Sequence, residues 1–269
     1  MHGFVDLKQV FRITGFYTAF ENRYGSNYYF DGENHNFWEI VIVMEGEIGV
    51  TAGSDVYLLK KGQAIIHEPM EFHRLWSEGN TCPHIIIFSF DAENMPEFTS
   101  KIFEIQDKTK AVEILFEMKE KFEIDGGNVK AVKESSQVLY QLTLKKLESF
   151  ILTALSQKAK KGRVLKSRMA ENYTNIVTVL EKNINKNMSV AEIADMCNMS
   201  EINLKKTFSK YAGMGVMNYF NQVKITAAKS MLKEGLTVKE TAEKLGFSNQ
   251  NYFSTVFKRV TGKAPSSCR

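Results

Sequence analysis

One pattern occurs twice in the C-terminal part of the chain, as SVAEIADMCNMSEINLKKTFSKYAG at residues 189–213 and as TVKETAEKLGFSNQNYFSTVFKRVTG at residues 237–262. The corresponding positions lie 48 residues apart and, after one inserted residue, 49 apart. They include Ser189 with Thr237, Ala194 with Ala242, Leu204 with Phe253, and Phe208 with Phe257. Each copy predicts a short helix, a tight turn and a second amphipathic helix, which together make a helix-turn-helix unit.

Both copies carry matching signals at the helix starts and at the turn. The first helix of each copy begins with a Ser/Thr-x-x-Glu capping box, formed by Ser189 with Glu192 and by Thr237 with Glu240. Gly246 supplies the left-handed turn residue of the second copy, and Asn198 stands in its place in the first, since asparagine tolerates that conformation better than most residues. Ser200 caps the second helix of the first copy, and Ser248 or Asn249 caps that of the second.

The second helix of each copy leaves outward a face whose residue types suit DNA. Asparagine and glutamine can bond bidentately to an adenine edge, serine and threonine can bond bases or phosphates, and lysine neutralises phosphate charge. The predicted DNA-binding residues are Ser200, Ile202, Asn203, Lys205, Lys206, Ser248, Gln250, Asn251, Ser254, Thr255 and Lys258. Because the first face is the more cationic, we expect it to supply more phosphate affinity and the second face more base discrimination.

The charge is unevenly distributed along the chain of 269 residues. Residues 163–269 hold 17 Lys and Arg against 8 Asp and Glu, a net +9, whereas residues 1–162 hold 18 against 23, a net −5. A basic C-terminal part favours a polyanionic partner such as double-stranded DNA.

The composition is that of a soluble globular protein, with 43% hydrophobic and 25% charged residues. The apolar runs are too short to span a membrane, and the N-terminus shows no signal peptide pattern, so we expect no membrane partner. Cys82, Cys197 and Cys268 are scattered and form no metal-ligand pair, which favours a reducing cytoplasm.

The organisation of the chain predicts a two-domain α+β protein. Residues 1–157 form the first domain, in which short strands separated by glycines over residues 4–92 predict a barrel or sandwich and the segments after Pro96 predict helices at Ala111–Phe122 and Glu134–Leu155. Residues 158–168 form a basic linker, and residues 169–269 form an all-α domain. An apolar stripe in the second helix, formed by Tyr140, Leu144, Leu147, Ile151 and Leu155, packs either against the strands or against a second copy.

About the last 100 residues resemble the DNA-binding domain of AraC-type transcription regulators. The resemblance is carried by AEIADMCNMSEINLKKTF, by the connector YFNQVKITAAKSML and by AEKLGFSNQNYFSTVFKRVTGKAP. The chain departs from the usual pattern at Asn198 for glycine, Lys224 for arginine, Thr241 for isoleucine and Cys268 for an aromatic residue. The resemblance implies that the outward residues read bases. We expect a homodimeric regulator with RNA polymerase as a partner, and the sequence leaves open whether it is an activator or a repressor.

The segment HNFWEIVIVMEGEIGVTAGSDVYLLKKGQAIIHEPMEFHRL resembles the cupin-like β-barrel that precedes the DNA-binding domain in many such regulators. His35, Glu39 and Gly46 follow the first cupin motif, although Glu33 stands at its leading histidine position, and Gly62, Pro69 and His73 follow the second motif. The predicted effector-binding residues are Arg23, His35, Trp38, Glu39, His73 and Trp76.

The sequence therefore predicts a transcription regulator that is controlled by a small-molecule effector, for which the resemblance suggests a sugar, and that is not an enzyme. We expect no cofactor and no metal. Two alternatives stay open. His35, Glu39 and His73 have the residue types of a His–carboxylate metal triad, so the chain could be a cupin metalloenzyme that a DNA-binding domain localises. It could also be a ligand-independent regulator whose barrel is only a dimer platform.

Overall fold

The structure is a computed structural model that describes residues 11–156, 163–165 and 167–268. The chain divides into two compact units, one built mainly from residues before 165 and the other mainly from residues after 164. The predicted two-domain α+β organisation is confirmed, with a sheet-rich first part and a helical second part. Among the described residues, no helix combines the length and the apolar character needed to cross a membrane.

The first part is built from two β-sheets. In the described residues its strands are β1 (Arg12–Arg23), β2 (Trp38–Glu45), β3 (Glu47–Ala52), β4 (Asp55–Lys60), β5 (Gln63–His67), β6 (His73–Ser77), β7 (His84–Glu93), β8 (Ile102–Glu104), β9 (Phe122–Asp125), β10 (Asn128–Val132) and β11 (Arg163–Val164). The larger sheet has the order β8-β5-β2-β7-β1-β10-β9, and the smaller has the order β11-β4-β3-β6. The central strand β2 is antiparallel to both β5 and β7.

One face of the larger sheet is covered by two helices, α1 (Thr109–Lys121) and α2 (Tyr140–Ser156). Ile40 and Ile42 of β2 share a buried core with Leu147 and Ile151 of α2. The remaining residues of the apolar stripe predicted in α2, namely Tyr140, Leu144 and Leu155, are partly buried against the same core. Of the two interpretations of this stripe, the structure supports packing against the sheet.

Two segments differ from the sequence expectation. The region after Pro96 is not only helical, because β9 and β10 form a hairpin whose two-residue loop, Gly126 and Gly127, has positive φ at both positions. Two such residues match the right-handed twist of a hairpin, so the Asp-Gly-Gly-Asn sequence at 125–128 was an overlooked turn signal. In addition, part of the predicted linker, residues 158–168, is ordered as β11, which pairs with β4; residues 158–162 and 166 lie outside the described residues.

The second part contains the two predicted helix-turn-helix units. Its helices are α3 (Arg168–Lys182), α4 (Val190–Met196), α5 (Glu201–Ala212), α6 (Val216–Lys233), α7 (Val238–Lys244) and α8 (Gln250–Thr261), followed by a 3-10 helix at Pro265–Cys268. Both predicted capping boxes are confirmed, at the starts of α4 and α7. The four predicted core positions are fully buried: Leu204, Phe208, Phe253 and Phe257.

The turn of the second unit, between α7 and α8, is held by a close backbone approach. Gly246 has φ +66°, and a Cβ there would lie 2.3 Å from the carbonyl oxygen of Asn185. Nearby, the buried Lys224 of α6 donates hydrogen bonds to the carbonyl oxygens of Lys186 (2.6 Å) and Leu245 (2.7 Å). Burial lowers the pKa of Lys224 to about 8. Its ammonium therefore fastens the segment after α3 to the turn that leads into α8.

A substitution of Gly246 should reveal this approach. In Gly246→Ala the added methyl group meets the Asn185 carbonyl and also suffers left-handed strain, whereas in Gly262→Ala, at φ +74° with nothing within 4 Å, only the strain remains. We expect losses in unfolding free energy of at least about 3 kcal/mol for Gly246→Ala and about 1 kcal/mol for Gly262→Ala. Urea unfolding of the full chain checks this, and equal losses would contradict a close approach at Gly246.

Candidate functional sites

The outward face of α5 is exposed as predicted. Ile202 is 81% exposed, and Asn203, Lys205 and Lys206 are also exposed. The Ser200 side chain accepts from the backbone N–H of Asn203 and so caps the helix. Lys205 forms an ion pair of 3.0 Å with Glu201, one turn earlier. This pair offsets part of the positive charge that the sequence suggested for the first unit.

The outward face of α8 is likewise exposed at Gln250, Asn251, Thr255 and Lys258, while Ser254 is half-buried. Asn249 is the N-cap, because its side chain accepts from the backbone N–H of Tyr252 at 2.8 Å. Of the two capping residues that the sequence allowed, the structure therefore selects Asn249. The exposed Ser248 lies just before this helix start, where free backbone N–H groups favour a phosphate.

Two further residues of α8 were not predicted to bind DNA. Tyr252 is 49% exposed, and Arg259 is exposed in the last turn of the helix. Tyr252 follows Asn251 and Arg259 follows Lys258, so both residues adjoin the predicted outward face of α8, and their positions in the helix predict that they are exposed. The sequence from Lys244 to the end contains no acidic residue, so the surface of α8 has no charge pair like that between Lys205 and Glu201. The second unit is thus as well suited to phosphate as the first.

A polar row crosses the larger sheet of the first part. His67 on β5 lies opposite Glu39 on β2, Glu39 lies opposite Ser89 on β7, and Ser89 lies opposite Thr18 on β1. Ser89 donates a hydrogen bond of 2.7 Å to the Glu39 carboxylate and lies 2.6 Å from the Thr18 hydroxyl. Because side chains alternate along a strand, this row shares its face with Val41 and turns away from Ile40.

Two histidines approach Glu39 from outside this row. The Nε2 atom of His73 lies 3.4 Å from Glu39 Oε1, and that of His35 lies 3.8 Å from Glu39 Oε2. One ligand atom of each of His35, Glu39 and His73 lies within 4.8 Å of the others. Glu39 and His73 are buried, and His35 is half-buried. We refer to His35, Glu39 and His73 as the His–Glu cluster.

Burial and the neighbouring groups act in opposite directions on the pKa of Glu39. Burial raises the pKa of Glu39, but hydrogen bonds from His73 and Ser89 and the nearby imidazoles outweigh it and lower that pKa to about 2. Burial also lowers the pKa of His35, with the charge of His73 acting in the same direction. His67 is fully buried, and its pKa is lowered to about 4, first by burial and then by His73.

The six predicted effector-binding residues do not all converge. Trp38 precedes Glu39 on β2 and packs on the opposite face, against the core beneath the helices, because neighbouring residues of a strand point to opposite sides. Arg23 is exposed and paired with Glu45. The Trp76 indole lies over Gly49 and donates a hydrogen bond of 2.7 Å to Glu78. Only the His–Glu cluster is brought together.

Comparisons with known proteins match both parts of the chain. A family described as "AraC-like ligand binding domain" matches residues 17–113, and one described as "Helix-turn-helix domain" matches residues 187–269. The bifunctional transcriptional activator/DNA repair enzyme AdaA of Bacillus subtilis and the HTH-type transcriptional activator RhaR of Escherichia coli are each 30% identical over 95 residues. This match covers 35% of the chain, 45% of AdaA and 34% of RhaR, so it spans less than half the length of either relative.

A structural neighbour extends over almost the whole chain. ToxT of Vibrio cholerae, solved with an unsaturated fatty acid bound, is 15% identical, and the match covers 97% of this chain and 96% of that one with a TM-score of 0.36.

Acidification should destabilise the protein through His67. Its folded pKa of about 4 lies below the usual 6.5, so the unfolded chain takes up a proton first and stability falls as the pH drops from 6.5 towards 4, by about 3 kcal/mol in all. Above pH 6.5 the contribution of His67 is constant. Urea unfolding at several pH values should show a shallower slope over this window for His67→Phe than for the unsubstituted protein, and identical slopes would contradict the burial of a neutral His67.

Proposed function

This chain belongs to the AraC-type regulators, and from that premise we propose that it regulates transcription by binding specific DNA sequences, under the control of a small-molecule effector bound in its N-terminal domain. The observation that carries the proposal is the pair of helix-turn-helix units with exposed α5 and α8. Both helices are short, expose polar side chains and begin with a capping side chain at the N-terminus. Helices that enter a major groove have these features.

Within each unit, base reading and phosphate binding are assigned to different residues. Gln250 and Asn251 lie in the first turn of α8, where recognition helices contact base edges, and their amide groups can match an adenine. Lys258 lies in the last turn of α8 and offers only a point charge. In the first unit Ile202 can contact a thymine methyl group, while Lys206 is exposed and can reach a phosphate.

The proposal assigns no catalytic activity to the chain. The groups of the His–Glu cluster best suited to catalysis are enclosed, since His73 is 1% exposed and Glu39 6% exposed. An organic substrate needs access to the reacting groups. The burial of these residues therefore argues against turnover of an organic substrate at the His–Glu cluster. The site of action would be the cytoplasm, where the DNA is accessible.

The proposed regulator is a homodimer that contacts RNA polymerase. A dimer surface is supported by exposed apolar side chains of α1, of α2 and of the turn that precedes α2. The most exposed of them are Phe116, Val138, Leu139 and Leu142, at 63%, 73%, 52% and 63%. A groove of about 860 Å³ lies between the two helices and includes Leu139 and Leu142 in its lining. Apolar patches of this kind mark protein interaction sites.

Substitutions in α8 should separate base reading from phosphate binding. A binding site is first selected from random DNA, and affinities are then measured on that site and on unrelated DNA at several salt concentrations. Gln250→Ala and Asn251→Ala should each lose about 1–3 kcal/mol on the selected site alone and relax the preference at particular base pairs. Equal losses on both DNAs would show that these amides do not read bases.

Lys258→Ala provides the matched comparison within the same helix. It should weaken binding to both DNAs alike and reduce the slope of log affinity against log salt by about 1. The absence of salt-sensitive binding to any selected DNA by the unsubstituted protein would refute the proposed function itself.

The dimer surface can be tested by placing a charge in the groove. In Leu142→Glu the carboxylate would be desolvated against a partner, so we expect the dimer to weaken at least about tenfold. Ser149→Glu, two turns along the same helix at another exposed position that lines the groove, places a carboxylate there without removing an apolar contact. Analytical ultracentrifugation distinguishes them, and an unchanged dimer in Leu142→Glu would exclude this surface.

A further inference from the structure

We propose that His35, Glu39 and His73 bind one divalent transition-metal ion in the N-terminal domain. This inference goes beyond the proposed function, since no part of the DNA-binding argument requires a metal. It rests on the geometry of the His–Glu cluster, on the hydrogen bonds that fix both imidazoles and on the burial of the residues around them.

The ligand atoms already converge on one point. One atom of each of the three side chains lies within 4.8 Å of the others, a spacing at which a single ion can reach all of them after small movements. Glu39 is anchored from behind by Ser89, which donates to Oε2 and leaves Oε1 directed at His73. The carboxylate is therefore held in place before any ion arrives.

The tautomers of both histidines are fixed by backbone carbonyl groups. Nδ1 of His35 lies 3.0 Å from the carbonyl oxygen of Phe37, and Nδ1 of His73 lies 3.2 Å from that of Glu71. A carbonyl oxygen only accepts, so each Nδ1 must carry the proton and donate it. In the neutral imidazoles the lone pair is then on Nε2. This is the arrangement of metal-binding histidines, whose other ring nitrogen donates to an outer hydrogen-bond acceptor.

Both imidazoles present Nε2 to the Glu39 carboxylate, at 3.4 Å for His73 and 3.8 Å for His35. Either a proton on Nε2 or a metal cation can occupy the space between an imidazole and the carboxylate. The His35 Nε2 atom is buried, has no hydrogen-bond partner among the described residues and belongs to a side chain only 10% exposed. A metal cation between the three groups would give His35 Nε2 a partner and would be attracted by the Glu39 carboxylate.

The ligand types select the class of ion. Imidazole nitrogen favours zinc, iron, nickel or copper over magnesium and calcium, which prefer oxygen ligands alone, and two histidines with one carboxylate form a common set for such ions.

The surroundings favour a small occupant. Val41 and Ile65 lie opposite each other, two residues along their strands from Glu39 and His67. Both are fully buried on the same face of the sheet. Ser89 and His67, the neighbours of Glu39 in the polar row, are fully buried as well. Close packing on these sides suits an ion held by a few atoms.

The test uses the full chain carrying Cys82→Ser, which removes an exposed thiol that could bind metal elsewhere. The protein is stripped with a chelator and titrated with Zn²⁺ by calorimetry, and bound zinc is counted by elemental analysis after desalting. We expect one Zn²⁺ per chain, with affinity at least about tenfold lower in His35→Ala and in Glu39→Gln. X-ray absorption at the zinc edge should show nitrogen and oxygen ligands only.

His84→Ala serves as the matched control, because His84 lies outside the His–Glu cluster beside Glu21. It should bind Zn²⁺ like the parent. Circular dichroism establishes that each variant is folded, and His35→Ala is the safer variant because His35 lies in a loop before β2. Absence of zinc binding, undiminished binding in both cluster variants, or sulfur ligation would each overturn the site. DNA affinity is measured on the metal-free protein, so failure of the metal site leaves the proposed function intact.

Discussion

The helical part of the protein depends on one conformational constraint, the left-handed residue between the two helices of each unit. Asn198 and Gly246, at φ +54° and +66°, reverse the chain so that the second helix crosses the first with its apolar side buried. At Gly246 the constraint is tighter, because the Asn185 backbone occupies the space of a side chain and Lys224 ties the two segments together. The exposed surface of α8 is a consequence of this reversal.

The helix-turn-helix units could be predicted almost completely because their determinants are local. Capping boxes, turn residues and buried positions follow one another within about 25 residues, a range in which sequence spacing fixes geometry. The role of Lys224 could not be derived in this way. Its partners Lys186 and Leu245 are 38 and 21 residues away, and nothing in the sequence around Lys224 identifies a carbonyl oxygen that folding brings near.

The N-terminal part shows where sequence reasoning fails. Alternating apolar residues and turn glycines located the strands around β2 to β5, and motif spacing located His35, Glu39 and His73. Residue type alone suggested Trp38, which the alternation of strand faces excludes from the same site. The hairpin of β9 and β10 lies between two helices, and its strands have only four and five residues. The alternation in Phe-Glu-Ile-Asp and Asn-Val-Lys-Ala-Val is therefore too short to indicate strands by itself.

Strand β2 contributes to both faces of the larger sheet. On one side Glu39 joins the polar row that spans β5, β2, β7 and β1, and on the other Ile40 and Ile42 form the floor on which α1 and α2 rest. Leu142 of the groove lies exposed on α2, and Leu139 lies exposed just before it. Glu39, Ile40 and Ile42 lie on one extended strand that stretches very little along its length. A displacement of β2 at the polar row would therefore also move the apolar residues on which α1 and α2 rest, and the reverse holds as well.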